Sequence, residues 1–348
     1  IIDEFKDDKK LSEFLKDICS KFIKETNYTK YDKDKNSLDI NRITTLCNEN
    51  NEEFSLDLNN SLNSVNLRDI QTLTFGNDFN QPLGTILDSL TNLQTLTFGN
   101  KFNNGKKYND PLDMNKPLGT SLNKLTNLRT LTFGEQFNQM LGDSLNKLTD
   151  LRTLTFGEQF NQILGNSLDS LINLQTLTFG YNFRNNYNNL NTSLDKLTNL
   201  QTLTFGEHFN QRLNNSLKNL TKLQTLKFSR EFNNPLDNSL DSLINLQTLT
   251  FVDKFGAGDF NQPLHNSLDS LRNLRILMFS NNFGQPLGTS LYKLTNLQTL
   301  TFGDNFNDLL GDSLGGLINL RTLTFGDSFN NLLGDSLGGL INLRTLTF

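Results

Sequence analysis

Few side chains in this chain are of the types that carry out catalysis or hold metal ions. It has two histidines, His208 and His265, and two cysteines, Cys19 and Cys47. No spacing among them fits a zinc site, no nucleophile is paired with a base, and no glycine-rich phosphate loop joins a strand to a helix. Both histidines stand where equivalent segments carry other residue types, which favours solvated side chains. We predict that the chain is not an enzyme and uses no metal or cofactor.

A 23-residue repeat fills the chain from about residue 70 onward. The clearest copy begins at Phe79 with Phe-Asn-Gln-Pro-Leu, and the next copy begins 23 residues later at Phe102. A fixed period of this length is typical of a solenoid, in which each turn packs only against its neighbours. One turn offers seven apolar positions, and it cannot bury them alone. In the clearest copy these are Phe79, Leu83, Leu87, Leu90, Leu93, Leu96 and Phe98.

Each repeat contains one predicted strand. The stretch Gln94–Phe98 alternates polar and apolar residues, so its apolar members should point inward and its threonines outward. Gly99 ends the strand and is expected to allow a tight turn. The return limb, 84–90, predicts a single helical or 3₁₀ turn. The Asn of each Phe-Asn pair is expected to bind backbone groups in the turn and to stack into a ladder, as at Asn80, Asn138, Asn161 and Asn210.

The repeat resembles two related families. Leu90-x-x-Leu93-x-x-Leu96-x-Phe98 resembles the first half of a leucine-rich repeat, although Lys101 stands where that motif has Asn. Leu-Thr-Phe-Gly combined with Phe-Asn-Gln-Pro-Leu resembles the FNIP repeat over about residues 54–348, except that a Ser-Leu-x-x-Leu-Thr-Asn-Leu limb replaces the family's Ile-Pro. The resemblance implies an α/β solenoid, with a leucine-rich-repeat-like parallel β-sheet of 23-residue repeats and a short helical segment before it.

Three regions are predicted along the chain. Residues 1–39 form a helical segment, 40–69 a degenerate cap repeat, and 70–348 the solenoid. The cap repeats the apolar spacing of the array in a more polar sequence. Because the chain starts at Ile1 and stops inside a repeat at Phe348, we expect a fragment with an exposed last strand that promotes end-to-end association.

The first region resembles the later part of an F-box. Its Asp7-Asp8-Lys9 turn and the sequence Ile18-Cys19-x-x-Phe22 carry this resemblance, whereas the Leu-Pro start is missing. The resemblance implies docking to Skp1 in a cullin-type ubiquitin ligase, with the solenoid capturing a substrate protein. The candidate docking residues are Ile2, Phe5, Leu11, Phe14, Leu15, Ile18 and Phe22. The alternative is a helical cap that covers the end of the solenoid.

Departures from the repeat mark the candidate binding surface. The outward threonines would form two columns, and three adjacent strands interrupt them at Lys227, Ser229, Val252, Ile276 and Met278. Neutral drift of exposed residues is the alternative explanation. Beside the columns an acidic stripe, predicted to steer a basic partner, contains Glu135, Glu158, Glu207, Asp304 and Asp327. Three inserts follow strands near 103–113, 184–186 and 255–259, and the first offers candidate contacts at Lys106, Lys107 and Tyr108.

Composition narrows the class of partner. A net charge of −5 is too balanced for a nucleic-acid surface, and no apolar run is long enough to cross a bilayer. The two cysteines fit a reducing compartment, so an intracellular, cytoplasmic protein is expected. The leading hypothesis is a protein-recognition solenoid that serves as a substrate-binding adaptor of an SCF-type ubiquitin ligase. The alternatives are an interaction scaffold without a ligase and a threonine array that orders ice.

Overall fold

The computed structural model describes residues 30–32, 37–39, 70–80, 83–84, 87–103, 118–184, 190, 192–253 and 256–348. The candidate Skp1-docking residues, the cap repeat 40–69 and the loop residues Lys106, Lys107 and Tyr108 lie outside these residues. The chain divides into two compact units, residues 1–160 and 161–348.

The described residues of the first unit form six short strands in chain order. They are β1 (Lys30–Asp32), β2 (Ser37–Asp39), β3 (Thr72–Thr74), β4 (Thr95–Thr97), β5 (Thr130–Thr132) and β6 (Thr153–Thr155). The pair β1–β2 is antiparallel, and the pairs from β2 to β6 are parallel. Leu38 of β2 pairs in register with Leu73 of β3, so β2 takes the place of a repeat strand. Strands β1 and β2 were not predicted, because they fall within residues 1–39, for which a helical segment was expected.

The second unit contains eight strands, and each neighbouring pair among them is parallel. They are β7 (Thr176–Thr178), β8 (Thr202–Thr204), β9 (Thr225–Phe228), β10 (Thr248–Phe251), β11 (Ile276–Met278), β12 (Thr299–Thr301), β13 (Thr322–Thr324) and β14 (Thr345–Thr347). The register sets leucine against leucine and outward residue against outward residue. The predicted parallel sheet of 23-residue turns is therefore confirmed.

The core consists of leucine and phenylalanine columns that run from turn to turn. Leu96 and Phe98 are buried, as their inward orientation predicted. The rings of Phe98 and Phe102 stack at 3.9 Å within one turn, and Phe98 stacks on Phe133 of the next turn at 5.6 Å. Full burial of one such side chain contributes roughly 1.5–3 kcal/mol. Because each ring contacts the turns on both sides, stability comes from stacking rather than from any single turn.

The return limb is a run of tight turns. Leu125 N–H donates to the Leu122 carbonyl at 3.0 Å, and Leu128 N–H donates to the Leu125 carbonyl at the same distance. These bonds span three residues, as in a 3₁₀ helix, but over the described residues the limb does not develop into a helix. The prediction of a single short turn therefore holds, and the limb returns the chain to the next strand in few residues.

The glycine after each strand is required for a different reason from the one predicted. A Cβ atom at Gly134 would lie 1.8 Å from the Gly99 carbonyl oxygen, and one at Gly157 would lie 2.0 Å from that of Gly134. Close approach of successive backbones therefore excludes a side chain here. Most glycines with positive φ stand instead after the leucine of the Phe-Asn-Gln-Pro-Leu position, for example Gly84 at 50° and Gly165 at 51°. His265 occupies the equivalent position with a φ of 46°.

Two asparagine ladders tie the turns together. The predicted ladder is confirmed: Asn80 Oδ1 accepts from the backbone N–H of Asn103 at 2.8 Å, and Asn103 Oδ1 accepts from that of Asn138 at 3.0 Å. A second ladder, on the return limb, was missed. There Asn127 Nδ2 donates to the Thr91 carbonyl at 2.8 Å. The second unit repeats the same bond at Asn199, Asn245, Asn273, Asn296, Asn319 and Asn342.

Candidate functional site

Five residues that depart from the repeat lie together in the second unit: three replace outward threonines, and two replace the glycine after the strand. We call them the irregular face: Lys227, Ser229, Val252, Ile276 and Met278. Pairing in register sets Thr250 of β10 between Lys227 of β9 and Met278 of β11. In the other column Thr248 pairs with both Thr225 and Ile276. Neighbouring strands lie about 4.8 Å apart, so the irregular face extends over roughly 10 Å across the sheet.

The side chains of the irregular face differ in exposure. Lys227 is exposed, Ile276 is 36% exposed, and Met278 is half-buried. Thr250 is only 7% exposed, although the corresponding threonines of β8 and β12 are half-buried. The longer side chains on both sides shield Thr250 from solvent. Thr250 therefore lies below the side chains on either side of it, the ammonium-bearing chain of Lys227 and the thioether chain of Met278.

The three strands of the irregular face lack the usual glycine, and two of them, β9 and β10, are one residue longer than the regular strands. Ser229 and Val252 stand where other turns have Gly, and β9 and β10 extend by one residue to Phe228 and Phe251, which pair in register. The third such residue, Ser280, is fully buried and donates its hydroxyl to the Phe260 carbonyl at 2.8 Å. These substitutions make a broader local sheet while leaving the phenylalanine column intact.

Residues 256–259 of the third insert lie beside this face. Asp253 N–H donates to the Ala257 carbonyl at 2.8 Å, and Asp253 Oδ1 accepts from Ala257 N–H at 2.9 Å. A Cβ at Gly258 would lie 2.3 Å from the Phe251 carbonyl oxygen, so the loop passes close to the end of β10. Asp259 N–H then donates to the Arg230 carbonyl at 2.7 Å. The insert is held by the sheet, and it borders the irregular face as its sequence position predicted.

A shallow polar groove of about 580 Å³ lies along the first asparagine ladder of the second unit. Its lining residues are Asn210, Glu231, Asn233, Asp259, Asn261, Asn282 and Asn305. At one end His208 Nδ1 lies 2.5 Å from Glu231 Oε1, and the Tyr181 ring meets the His208 ring edge-on. His208 was expected to be solvated, but it is half-buried and paired. When the repeats are aligned, His208 and Glu231 fall at the same position of successive turns. This alignment could have predicted that the two side chains pair.

The predicted acidic stripe is divided between the two units. In the first unit Glu135 and Glu158 are exposed, and Glu135 accepts from Asn100 Nδ2 at 2.7 Å. In the second unit the stripe contains half-buried Glu207 and, beyond the irregular face, exposed Asp304 and Asp327. Between them the same column carries Arg230, Asp253 and Asn281. Arg230 and Asn281 therefore interrupt the stripe beside β9 and β11, and Asp253 keeps an acidic residue beside β10.

Within the described residues, no group of three or more His, Cys, Asp or Glu side chains is arranged to hold a metal ion. The same residues contain no helix that is long and apolar enough to cross a membrane.

No protein-family model matches the chain, and no curated protein matches it. Solved structures do. CroV588, described as a novel circular LRR protein, is 25% identical with a TM-score of 0.51 and covers 92% of this chain. An internalin (InlF) from Listeria monocytogenes is 18% identical, with a TM-score of 0.56 and 100% coverage of this chain. TLR13, solved in complex with ssRNA13, is 17% identical, with a TM-score of 0.60 and 81% coverage.

These likenesses differ in how much of each neighbour they cover. The chain spans 51% of the CroV588 chain and 44% of the TLR13 chain, but 97% of the internalin. Together with the parallel sheet of 23-residue turns, they define the fold as a leucine-rich-repeat-like β-solenoid.

Proposed function

We propose that this chain is a protein-recognition solenoid and that the irregular face is its contact surface. The observation that carries the proposal is the coincidence of three departures on β9–β11: altered outward residues, replaced glycines and an ordered insert beside them. A solenoid can vary its outward residues without losing its core. Departures that cluster in space while the core stays regular favour selection on the surface over drift.

Site-specific photo-crosslinking in cells tests this proposal. A photoreactive amino acid at Met278 should give discrete protein adducts. The matched position is Lys196, an exposed residue on the return limb, where few or no adducts are expected. Equal adduct patterns at the two positions would remove the irregular face as the contact surface.

The finer assignment is that the chain resembles an FNIP-repeat protein and acts as a substrate-binding adaptor of an SCF-type ubiquitin ligase. Its support is the F-box-like sequence Ile18-Cys19-x-x-Phe22 placed before a recognition solenoid. In this arrangement the first 39 residues bind Skp1 and the irregular face holds the substrate.

Purified Skp1 is the probe for the adaptor role. The full chain should retain Skp1 in a pull-down. The double variant Leu11→Asp/Phe22→Asp should not, because it replaces two apolar side chains of the candidate docking surface by charged ones. Absence of Skp1 binding by the unaltered chain would leave a recognition scaffold with no ligase link. The photo-crosslinking result would still stand in that case.

A threonine array that orders ice is less consistent with the second unit. Such a surface requires unbroken columns, and Lys227, Ile276 and Met278 replace three of the outward threonines on β9–β11. An absence of thermal hysteresis is the expected result for the full chain.

A further inference from the structure

Positively charged side chains lie on and directly beside the irregular face. Lys227 on β9, Arg230 just after β9 and Arg275 just before β11 are all exposed. None of the three forms a salt bridge with any residue that the structure describes. Elsewhere in the second unit Lys218 and Lys293 do form them, with Asp195 and Asp269. The three cations are therefore available to a partner across roughly 20 Å of sheet, at about 3.3 Å per residue along a strand and about 4.8 Å between strands.

Apolar side chains lie among these cations. Ile276 directly follows Arg275, and it is 36% exposed. Met278 and Val252 are half-buried in the neighbouring outward positions. When an apolar residue of a partner covers these side chains, binding is stabilised by about 25 cal/mol per Å² of apolar surface removed from water. The unbranched thioether of Met278 can adapt to the shape of that residue. The surface therefore offers an apolar contact surrounded by positive charge.

Carboxylates limit the length of the acidic ligand. Glu207 lies one turn before Arg230 in the same column, Asp253 lies one turn after it, and Asp304 and Asp327 follow the irregular face on its other side. Asp253 Oδ1 already accepts a hydrogen bond from Ala257 N–H. The whole chain has a net charge of −5. A long polyanion such as RNA would extend onto Glu207, Asp304 and Asp327, and like-charge juxtaposition disfavours wrong partners. A short acidic segment avoids these three carboxylates: at about 3.3 Å per residue, six or seven extended residues span the cations.

We infer that the irregular face binds a short acidic protein segment that carries an apolar anchor residue. This inference rests on the proposed recognition function and specifies its partner. Acidic side chains of the segment pair with Lys227, Arg230 and Arg275, and the anchor packs on Ile276 and Met278. Binding should weaken as salt is raised, because exposed ion pairs are screened at ionic strengths near 0.15 M, where the Debye length is about 8 Å.

A phage-displayed library of random 12-residue peptides, selected on the full chain, provides the probe. The enriched peptides should contain two or more Asp or Glu residues beside a Leu, Ile, Phe or Met. Fluorescence anisotropy then measures the affinity of one enriched peptide. Lys227→Glu and Ile276→Asp should each weaken it about tenfold or more, since one reverses a contacting charge and the other charges the apolar contact. Lys196→Glu makes the same charge change on the return limb and should leave the affinity unchanged.

Each outcome separates the inference from the function on which it rests. Enriched peptides that are basic or uncharged, but are lost in Ile276→Asp, overturn the acidic partner and keep the recognition face. No enrichment, or peptide binding that survives both face variants, overturns the face itself and with it the proposed site. A 13-nucleotide single-stranded RNA that displaces the peptide and binds only when Lys227 is present overturns a protein partner. Unchanged thermal melting of each variant shows that loss of binding is not loss of fold.

Discussion

The turns of β4–β6 in the first unit and those of β9–β11 in the second share one core and differ at the surface. Both bury the same leucine and phenylalanine columns, and both keep their turns in register. In β4–β6 every outward position is threonine and every strand has three residues, whereas β9 and β10 have four residues, and β9 and β11 carry Lys227, Ile276 and Met278 at outward positions. The core therefore specifies the turn, while the outward columns are free to specify a partner.

The glycine column shows where that freedom ends. In the regular turns, a Cβ atom added at Gly134 would lie 1.8 Å from the Gly99 carbonyl oxygen, and one added at Gly157 would lie 2.0 Å from the Gly134 carbonyl oxygen. At Ser229 and Val252 a side chain is present, and the strand pairing extends up to the residues just before them, Phe228 and Phe251. The local backbone path is therefore different, and the same substitution should have opposite consequences in the two regions.

Exchanging serine and glycine at this column should give the largest effect. Gly134→Ser should destabilise the chain by about 3 kcal/mol, because the new Cβ overlaps backbone atoms of the preceding turn. Unlike a side chain, this backbone cannot relieve the overlap by changing rotamer. Ser229→Gly should cost less than about 1 kcal/mol, the usual cost of glycine in a strand. Urea denaturation followed by circular dichroism measures both changes. Similar losses in the two variants would show that β9 has the same tight backbone spacing as the regular turns.

The asparagine ladder should be the next most sensitive feature, and more so where it is buried. Asn103 is 1% exposed, and its Oδ1 accepts from Asn138 N–H and from Gln139 Nε2. Asn307 accepts the equivalent two bonds from Asn330 and Asn331 but is exposed. Asn103→Ala should therefore cost about 2 kcal/mol, since it leaves buried donors unpaired, and Asn307→Ala about 0.5–1 kcal/mol.

The same denaturation experiment ranks the two alanine variants. Equal costs would mean that water replaces the lost acceptor equally well at both positions.

Exchanging histidine and glycine at the repeat position with positive φ should change the stability in opposite directions in two turns. His265 has a φ of 46°, where glycine is favoured, so His265→Gly should stabilise the chain by about 0.5–1 kcal/mol. Gly165 has a φ of 51° with open space around its Cβ, and Gly165→His should cost a similar amount. Melting temperatures of the two variants should move in opposite directions. A destabilised His265→Gly variant would indicate that the imidazole makes a contact worth more than the strain.

The sequence predicted those features that depend on the repeat alone. Period-two alternation inside a 23-residue period was enough to place Leu96 inward, Thr95 outward and Asn80 in a ladder. It was also enough to group Lys227 with Met278, because positions that share a phase lie in one column across successive strands. What it could not supply was the distance between turns: the reason for Gly134 is a backbone contact with the preceding turn.

Features with no repeat pattern were also missed. β2 has the sequence Ser-Leu-Asp and stands 35 residues before β3, so no 23-residue period leads to it. The polar groove arises from several asparagine columns meeting Glu231 and Asp259, and no single repeat contains it. Each of these features depends on which turns become neighbours and how closely they pack.

Restoring regular threonines to the irregular face should have the smallest effect on stability. The double variant Lys227→Thr/Met278→Thr returns β9 and β11 to the outward pattern of β4–β6. Because both side chains are at least partly exposed and threonine is favoured in strands, the free energy of unfolding should change by less than about 0.5 kcal/mol. Affinity for the selected acidic peptide should nevertheless fall about tenfold or more, since one cation and the apolar contact are lost. If stability fell instead by 2 kcal/mol or more, these residues would be needed to cover Thr250, and the difference between the two regions would be one of packing rather than of recognition.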